Sequence, residues 1–271
     1  MKTHVSFRRL AFSIAVILLL SGCSKNMVTG KSQLSLIPEK ELQDMAFVQY
    51  KEFLSKSNLM SPADKSSLLV KEVGTKLSAA VERYFASKNL PDALKGYQWE
   101  YNLAKDSIIN AWCMPGGKIL VYTGILPVTQ NANALAVVMG HEVSHALLQH
   151  GNQRMSESML QQLGGVALSV ALSKKPTETQ NIFLNAYGIG TEIGVMLPFS
   201  RKQELEADRF GLIWAAMAGY DINEAIPFWE RMQSNTSGEK VPEFLSTHPS
   251  NSTRIQKIKQ YLTEASTYTG K

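Results

Sequence analysis

The chain has 271 residues, a length that suits one sizeable domain, since single cores stop growing near roughly 250 to 300 residues. Hydrophobic residues make up 44% and charged residues 19%, which excludes a disordered chain unable to offset the entropy of ordering. The formal charge of +5 includes Lys2, Arg8 and Arg9 ahead of Cys23; without them 25 basic residues face 23 acids, leaving +2, and no basic run interleaved with aromatics suggests nucleic-acid binding.

Residues 1–22 read as a secretory signal. Three cations precede Leu10 to Leu20, an eleven-residue run interrupted only by Ser13, too short to span a bilayer core of about 30 Å as a mature helix. Leu20-Ser21-Gly22-Cys23 resembles the bacterial lipobox, which implies acylation of Cys23 and membrane attachment through that lipid. By the same resemblance, Ser24 rather than Asp implies sorting to the outer membrane, on the face toward the periplasm. Lipidation of Cys23 leaves Cys113 with no partner for a disulfide, and Cys113 reads as a small buried hydrophobe rather than a reactive thiol.

Residues 23–36 are polar, contain Gly30 and read as a lipidated tether to a domain over 37–271. Pro38 opens a predicted helix to about Ser55, with Leu42, Met45, Ala46 and Phe53 on one face. A second predicted helix, about Pro62 to Ser87, places Leu69, Val73, Leu77, Ala80 and Tyr84 at helical spacing. Tyr97, Trp99, Tyr101 and Leu103 alternate with polar or small residues, the period of a half-buried strand. Segments 107–113 and 118–123 flank Pro115-Gly116-Gly117 and read as a β-hairpin, giving a small antiparallel sheet.

Long helices follow, predicted from about 132 to 149 with Gly151 as the stop, then from Ser200, Asp221 and about Ser252. Ser200 with Gln203, and Asp221 with Glu224, have capping-box spacing. The fold class is therefore α+β and predominantly helical. Leu160 to Phe199 is apolar but cut by Lys174, Lys175, Pro176, Asn185 and Glu192, so it reads as core helices or a lid rather than membrane spans.

The first of these long helices carries His141-Glu142-Val143-Ser144-His145. Positions i and i+4 lie one turn apart on one face, so two imidazoles can aim at one zinc ion about 2.0 to 2.1 Å away, with Glu142 placed to reach a water as general base. His150 lies near the helix end and reads as a terminal charge or cap. A catalytic zinc usually has three protein ligands and an open position. Glu204 and Asp208 share a face of the helix opened by Ser200, whereas Glu206 lies about 200° from Glu204. Glu204 is thus the candidate third ligand and Asp208 an acceptor for the outer N–H of a ligand histidine, His141 for preference. His248, in a Pro-containing loop, is open to three readings: a fourth ligand that gates the site, an oxyanion donor, or an exposed residue with neither role. Arg201 and Arg254 are further polar candidates that the sequence does not rank.

Four motifs in order, Val28-Thr29-Gly30, Asn110-Ala111-Trp112-Cys113-Met114-Pro115-Gly116-Gly117, the HExxH segment with Ser200 to Asp208, and Thr247-His248-Pro249-Ser250, together resemble metallopeptidase family 48. This is the group of small gluzincin peptidases that includes CAAX prenyl proteases, the mitochondrial inner-membrane stress protease and bacterial periplasmic lipoprotein proteases. The resemblance implies a zincin-like core, one zinc per chain on His141, His145 and Glu204, and Glu142 as the catalytic residue. It also implies that Asn110 and Ala111 offer a strand edge to extended substrates. The implied activity is zinc-dependent endopeptidase cleavage of unfolded or misassembled cell-envelope proteins. The alternative is an outer-membrane lipoprotein chaperone or assembly factor with little proteolysis. Without convincing membrane spans, a prenylated substrate is not expected.

Overall fold

The computed structural model describes residues 23–163, 176–187, 199–234, 242–249 and 252–271; residues 1–22, read above as a signal, and most of the apolar 160–199 stretch lie outside them. Strands β1 (Cys23–Lys25) and β2 (Ser32–Leu34) pair antiparallel. The turn between them is built on Asn26, whose Oδ1 accepts from the Val28 and Thr29 amides at 2.9 and 3.0 Å, with Gly30 at φ 67°. A free tether is therefore corrected over this stretch. Asn26 is buried and donates to the Leu147 carbonyl at 3.2 Å, and the Leu36 amide donates to Ser156 Oγ at 2.9 Å. The polar composition that suggested a linker supplies instead the partners that backbone groups need at a helix end.

Helix α1 (Glu39–Lys56) follows Pro38, and α2 (Lys65–Ser87) is capped by Asp64, whose side chain accepts from the Ser66 amide. Leu42, Ala46 and Tyr50 of α1 and Val73, Leu77, Ala80 and Tyr84 of α2 are buried, at the spacing of one helical face. Strands β3 (Glu100–Ala104), β4 (Ala111–Met114) and β5 (Lys118–Tyr122) form a sheet of order β3-β5-β4. The β4–β5 hairpin is antiparallel, and its turn places Gly116 and Gly117 at φ 77° and 80°, where side chains with a Cβ are disfavoured. β3 joins β5 in parallel, Leu103 opposite Val121, so the sheet is mixed rather than wholly antiparallel. Alternation selects the face of a strand but not the direction of its partner. One face of the sheet, with Leu103, Cys113, Ile119 and Val121, packs into the larger core; the other, with Trp112, Met114, Leu120 and Tyr122, packs into a second.

A short α3 (Leu126–Thr129) leads to α4 (Ala132–Leu147), capped by Asn131 Oδ1 on the Ala134 amide at 2.9 Å. α4 stops because Gln149 takes φ 56°, and α5 (His150–Leu163) starts at the next residue. Gly151 is therefore inside α5 rather than a stop signal; a Cβ there meets the Tyr187 ring at 2.2 Å. α6 (Pro176–Ala186) precedes α7 (Arg201–Met217), which opens with the expected reciprocal box between Ser200 and Gln203. Asp221 caps a 3-10 turn through the Asn223 amide, ahead of α8 (Ala225–Ser234). Glu224 does not close a box with Asp221 but lies 3.6 Å from Arg231. α9 (Glu243–Thr247) and α10 (Ser252–Ser266) complete the described chain. Among the described residues no helix is long and apolar enough to cross a membrane. Cys113 is a buried free thiol that desolvation makes a weaker acid.

Candidate metal centre

The site forms where α4 crosses α7, and two glycines set how closely they approach. A Cβ at Gly140 falls 2.7 Å from the Gly211 carbonyl, and one at Gly211 falls 2.7 Å from the His141 amide. With no side chain at either position, the backbones touch and the Glu204 side chain reaches the imidazoles of α4. His141 and His145 face each other with Nε2 atoms 3.0 Å apart. Glu204 Oε1 lies 3.4 Å from His145 Nε2 and Oε2 lies 3.6 Å from His141 Nε2.

His248, at the end of α9, joins this group. Its Nδ1 is 3.0 Å from Glu204 Oε1 and 3.2 Å from His141 Nε2, and all four residues place donor atoms within 4.8 Å of one another. Its ring is stacked between Phe244 and Phe199, centroids 4.5 and 5.1 Å away, and it is only 3% exposed, against the reading of an exposed loop histidine. Burial pushes its imidazole down to about 4, against the pull of Glu204.

The donor set fits a divalent cation. Three imidazole nitrogens and a carboxylate converge without enough protons among them to bridge every close pair. Ligands 2.0 to 2.1 Å from a tetrahedral zinc stand about 3.3 Å apart, close to the observed 3.0 to 3.6 Å.

Buried charges around the donors are paired. His141 Nδ1 lies 2.9 Å from Asp208 Oδ1. Arg254 grips Asp208 through Nε and Nη2 at 2.7 and 2.8 Å, and its Nη1 reaches Glu204 Oε2 at 2.6 Å. Its guanidinium also lies 3.9 Å from the Trp229 ring centroid. Burial raises the Glu204 carboxyl, but Arg254, His248 and His145 outweigh it and hold the group well below the usual range; Asp208 is held down against burial by Arg254 and His141. Burial and the negative Glu204 raise the Glu142 carboxyl instead, and its Oε1 lies 3.5 Å from His248 Nε2.

Of the residues singled out in the sequence, His141, Glu142, His145, Glu204, Asp208, His248 and Arg254 thus occupy one buried cluster, whereas Arg201 is exposed. Ala111 begins β4, an outer strand of the sheet, and Asn110 precedes it. The segment just before that strand is held by α9: Asn110 Nδ2 donates to Glu243 at 3.1 Å, and the Phe244 amide donates to the Ile109 carbonyl at 3.1 Å. His150 is neither a cap nor a surface charge. It is fully buried, with Nδ1 3.0 Å from His145 Nδ1. The left-handed Gln149 that turns it back has no signal in the hydrophobic pattern, and neither Phe199 nor Phe244 advertises its place against His248.

The model described as "Peptidase family M48" matches residues 72–262. The human protein "Metalloendopeptidase OMA1, mitochondrial" is 30% identical over 247 residues, 88% of this chain and 45% of its own length. "Mitochondrial metalloendopeptidase OMA1" of Schizosaccharomyces pombe is 33% identical over 224 residues, covering 82% and 61% respectively. The "Beta-barrel assembly-enhancing protease" of Yersinia pestis is 28% identical over 163 residues, 58% of this chain and 33% of its own length. The chain spans roughly half the length of the curated relatives it matches.

Proposed function

Because the chain belongs to peptidase family M48, a metallopeptidase family, we propose that it is a zinc-dependent endopeptidase acting on unfolded or misassembled envelope proteins. The carrying observation is the convergence of His141 and His145 from α4 with Glu204 from α7, supported by Asp208 and Arg254. On this reading the three are the ligands of one zinc per chain. Bound zinc supplies Lewis acidity, which polarises a peptide carbonyl and makes water a stronger acid. Arg254 keeps Glu204 ionised and therefore able to ligate. Asp208 acts as acceptor toward the N–H at Nδ1 of His141, which keeps that proton on Nδ1 and leaves the Nε2 lone pair for the ion. Glu142 accepts the proton of the attacking water and returns it to the leaving amine.

His248 is the gating residue on this reading. Its Nδ1 stands among the donor atoms, where a fourth protein ligand excludes water, and α9 also bonds Ile109 and Asn110, at the entry to the strand edge that Ala111 begins. Withdrawal of α9 would free both at once, so that an extended chain adds along the edge through main-chain hydrogen bonds. The substrate class draws on the similarity to a protein named for assisting β-barrel assembly and on the lipobox-like Leu20-Ser21-Gly22-Cys23, whose acylation would hold the enzyme to the outer membrane on its periplasmic face. A holding role with little proteolysis draws on the same contacts of α9.

Cleavage of unfolded casein by the metal-loaded protein, abolished by chelator, supports the endopeptidase; suppression of aggregation without cleavage supports the holding role. His248→Ala separates the roles of that residue. Several-fold faster cleavage supports gating, slower cleavage supports an oxyanion donor, and an unchanged rate removes both.

A further inference from the structure

The two histidines of α4 have different support. His141 Nδ1 faces a carboxylate directly, Asp208 at 2.9 Å. His145 Nδ1 faces another imidazole, His150 Nδ1 at 3.0 Å. If His145 binds metal through Nε2, its proton sits on Nδ1, and the atom facing that proton is the Nδ1 lone pair of His150. His150 must then carry its own proton on Nε2. That atom is buried, makes no hydrogen bond among the described residues, and lies 3.6 Å from Glu206 Oε2. Glu206 Oε1 in turn accepts from Lys31 Nζ at 2.9 Å.

Lys31 immediately precedes β2 in the N-terminal hairpin, the element whose Asn26 also holds the Leu147 carbonyl at the end of α4. Glu206, placed on the far side of α7 from Glu204 by the helical wheel, therefore meets His150 at the start of α5 and Lys31 of the hairpin instead of the donor cluster. We infer that His150 and Glu206 are positioning residues that fix the ring orientation and tautomer of His145 through a relay, His145 to His150 to Glu206, with Lys31 fastening the N-terminal hairpin to its outer end. The inference rests on the metal reading of the site. Its chemistry is proton placement alone: His145 donates to His150, the Nε2 proton of His150 is held by the charge of the nearby Glu206 carboxylate rather than by a hydrogen bond, and no proton leaves the chain of three. Bonds of this kind outside a ligand typically change metal affinity by 10- to 100-fold when lost.

The test is zinc affinity of the full processed protein, stripped of metal and titrated against a chelator of known affinity, with thermal unfolding of the metal-free form as a control for folding. His150→Ala is expected to weaken zinc binding at least tenfold. His150→Asn, whose amide oxygen stands near the lost Nδ1 and accepts the same bond, is expected to stay within about threefold of the parent. Glu206→Ala is expected to weaken binding severalfold when His150 is present and to add nothing in the His150→Asn background. Parent-like affinity in His150→Ala, or a His150→Asn variant as weak as His150→Ala, overturns the relay. If His150→Ala does not fold, the Glu206→Ala pair decides: equal effects in both backgrounds overturn it. A parent protein that binds no zinc overturns the metal reading itself, a result distinguishable from parent binding that the variants leave untouched.

Discussion

At the scale of single residues, environment assigns the carboxylates different states. Glu204 and Asp208 share Arg254 and are held ionised, whereas Glu142 has no cation at bonding distance among the described residues and is raised by burial and by Glu204. A carboxyl whose affinity for protons is raised suits a group that must take one. Away from the site, burial raises Glu39 from 4.5 to about 7, partly offset by its bond from Gln43. The folded value exceeds the unfolded one, so the cost is absent below about pH 4.5, grows from there to about pH 7 and is complete above. Glu39→Gln is therefore expected to stabilise the protein on the order of 1 to 3 kcal/mol at pH 8 and not at pH 4; denaturant unfolding at the two pH values measures this, and an equal effect at both contradicts it. Residue spacing alone was enough to prefer Glu204 over Glu206 as the one facing His141, because the helical period separates them. It did not disclose His150, whose direction depends on a single left-handed residue, nor rank Arg254 above Arg201, because that depends on where α10 packs.

At the scale of elements, the crossing of α4 and α7 is the feature that brings distant sequence together. Gly140 and Gly211 permit it, and neither glycine stands out in the sequence as more than an interruption of a helical pattern. Gly211→Ala puts a Cβ against the His141 backbone, which cannot rotate away as a side chain can. The helices must separate, at a cost of about 1 to 3 kcal/mol for overpacking, and Glu204 withdraws from the histidines. A lower melting temperature together with weaker zinc binding is the expected result; unchanged binding would show that the crossing does not set the ligand distance. The Ser200–Gln203 box was legible because a cap is a local contact. The parallel pairing of β3 with β5 was not, since both directions satisfy the same alternation.

At the scale of the whole molecule, the sheet is covered on both faces, and α4 and α7 pack into the larger core. The N-terminal hairpin belongs to this body through Asn26, Lys31 and Gln33, the last joined to Gln149 and Gln153. Polar composition alone gave no warning of this, because glutamines and asparagines that bond other elements look the same in sequence as those that face water. The consequence is that the chain after Cys23 enters the domain without a long free linker.

The account as a whole rests on Glu142 acting on a water beside a metal held by its neighbours. The most direct measurement compares parent and Glu142→Gln proteins for bound zinc and for casein cleavage under the same conditions. Equal zinc with a rate lowered about 100-fold or more is the expected result. Undiminished cleavage by the Gln variant, or an absence of chelator-sensitive cleavage in the parent, would contradict it.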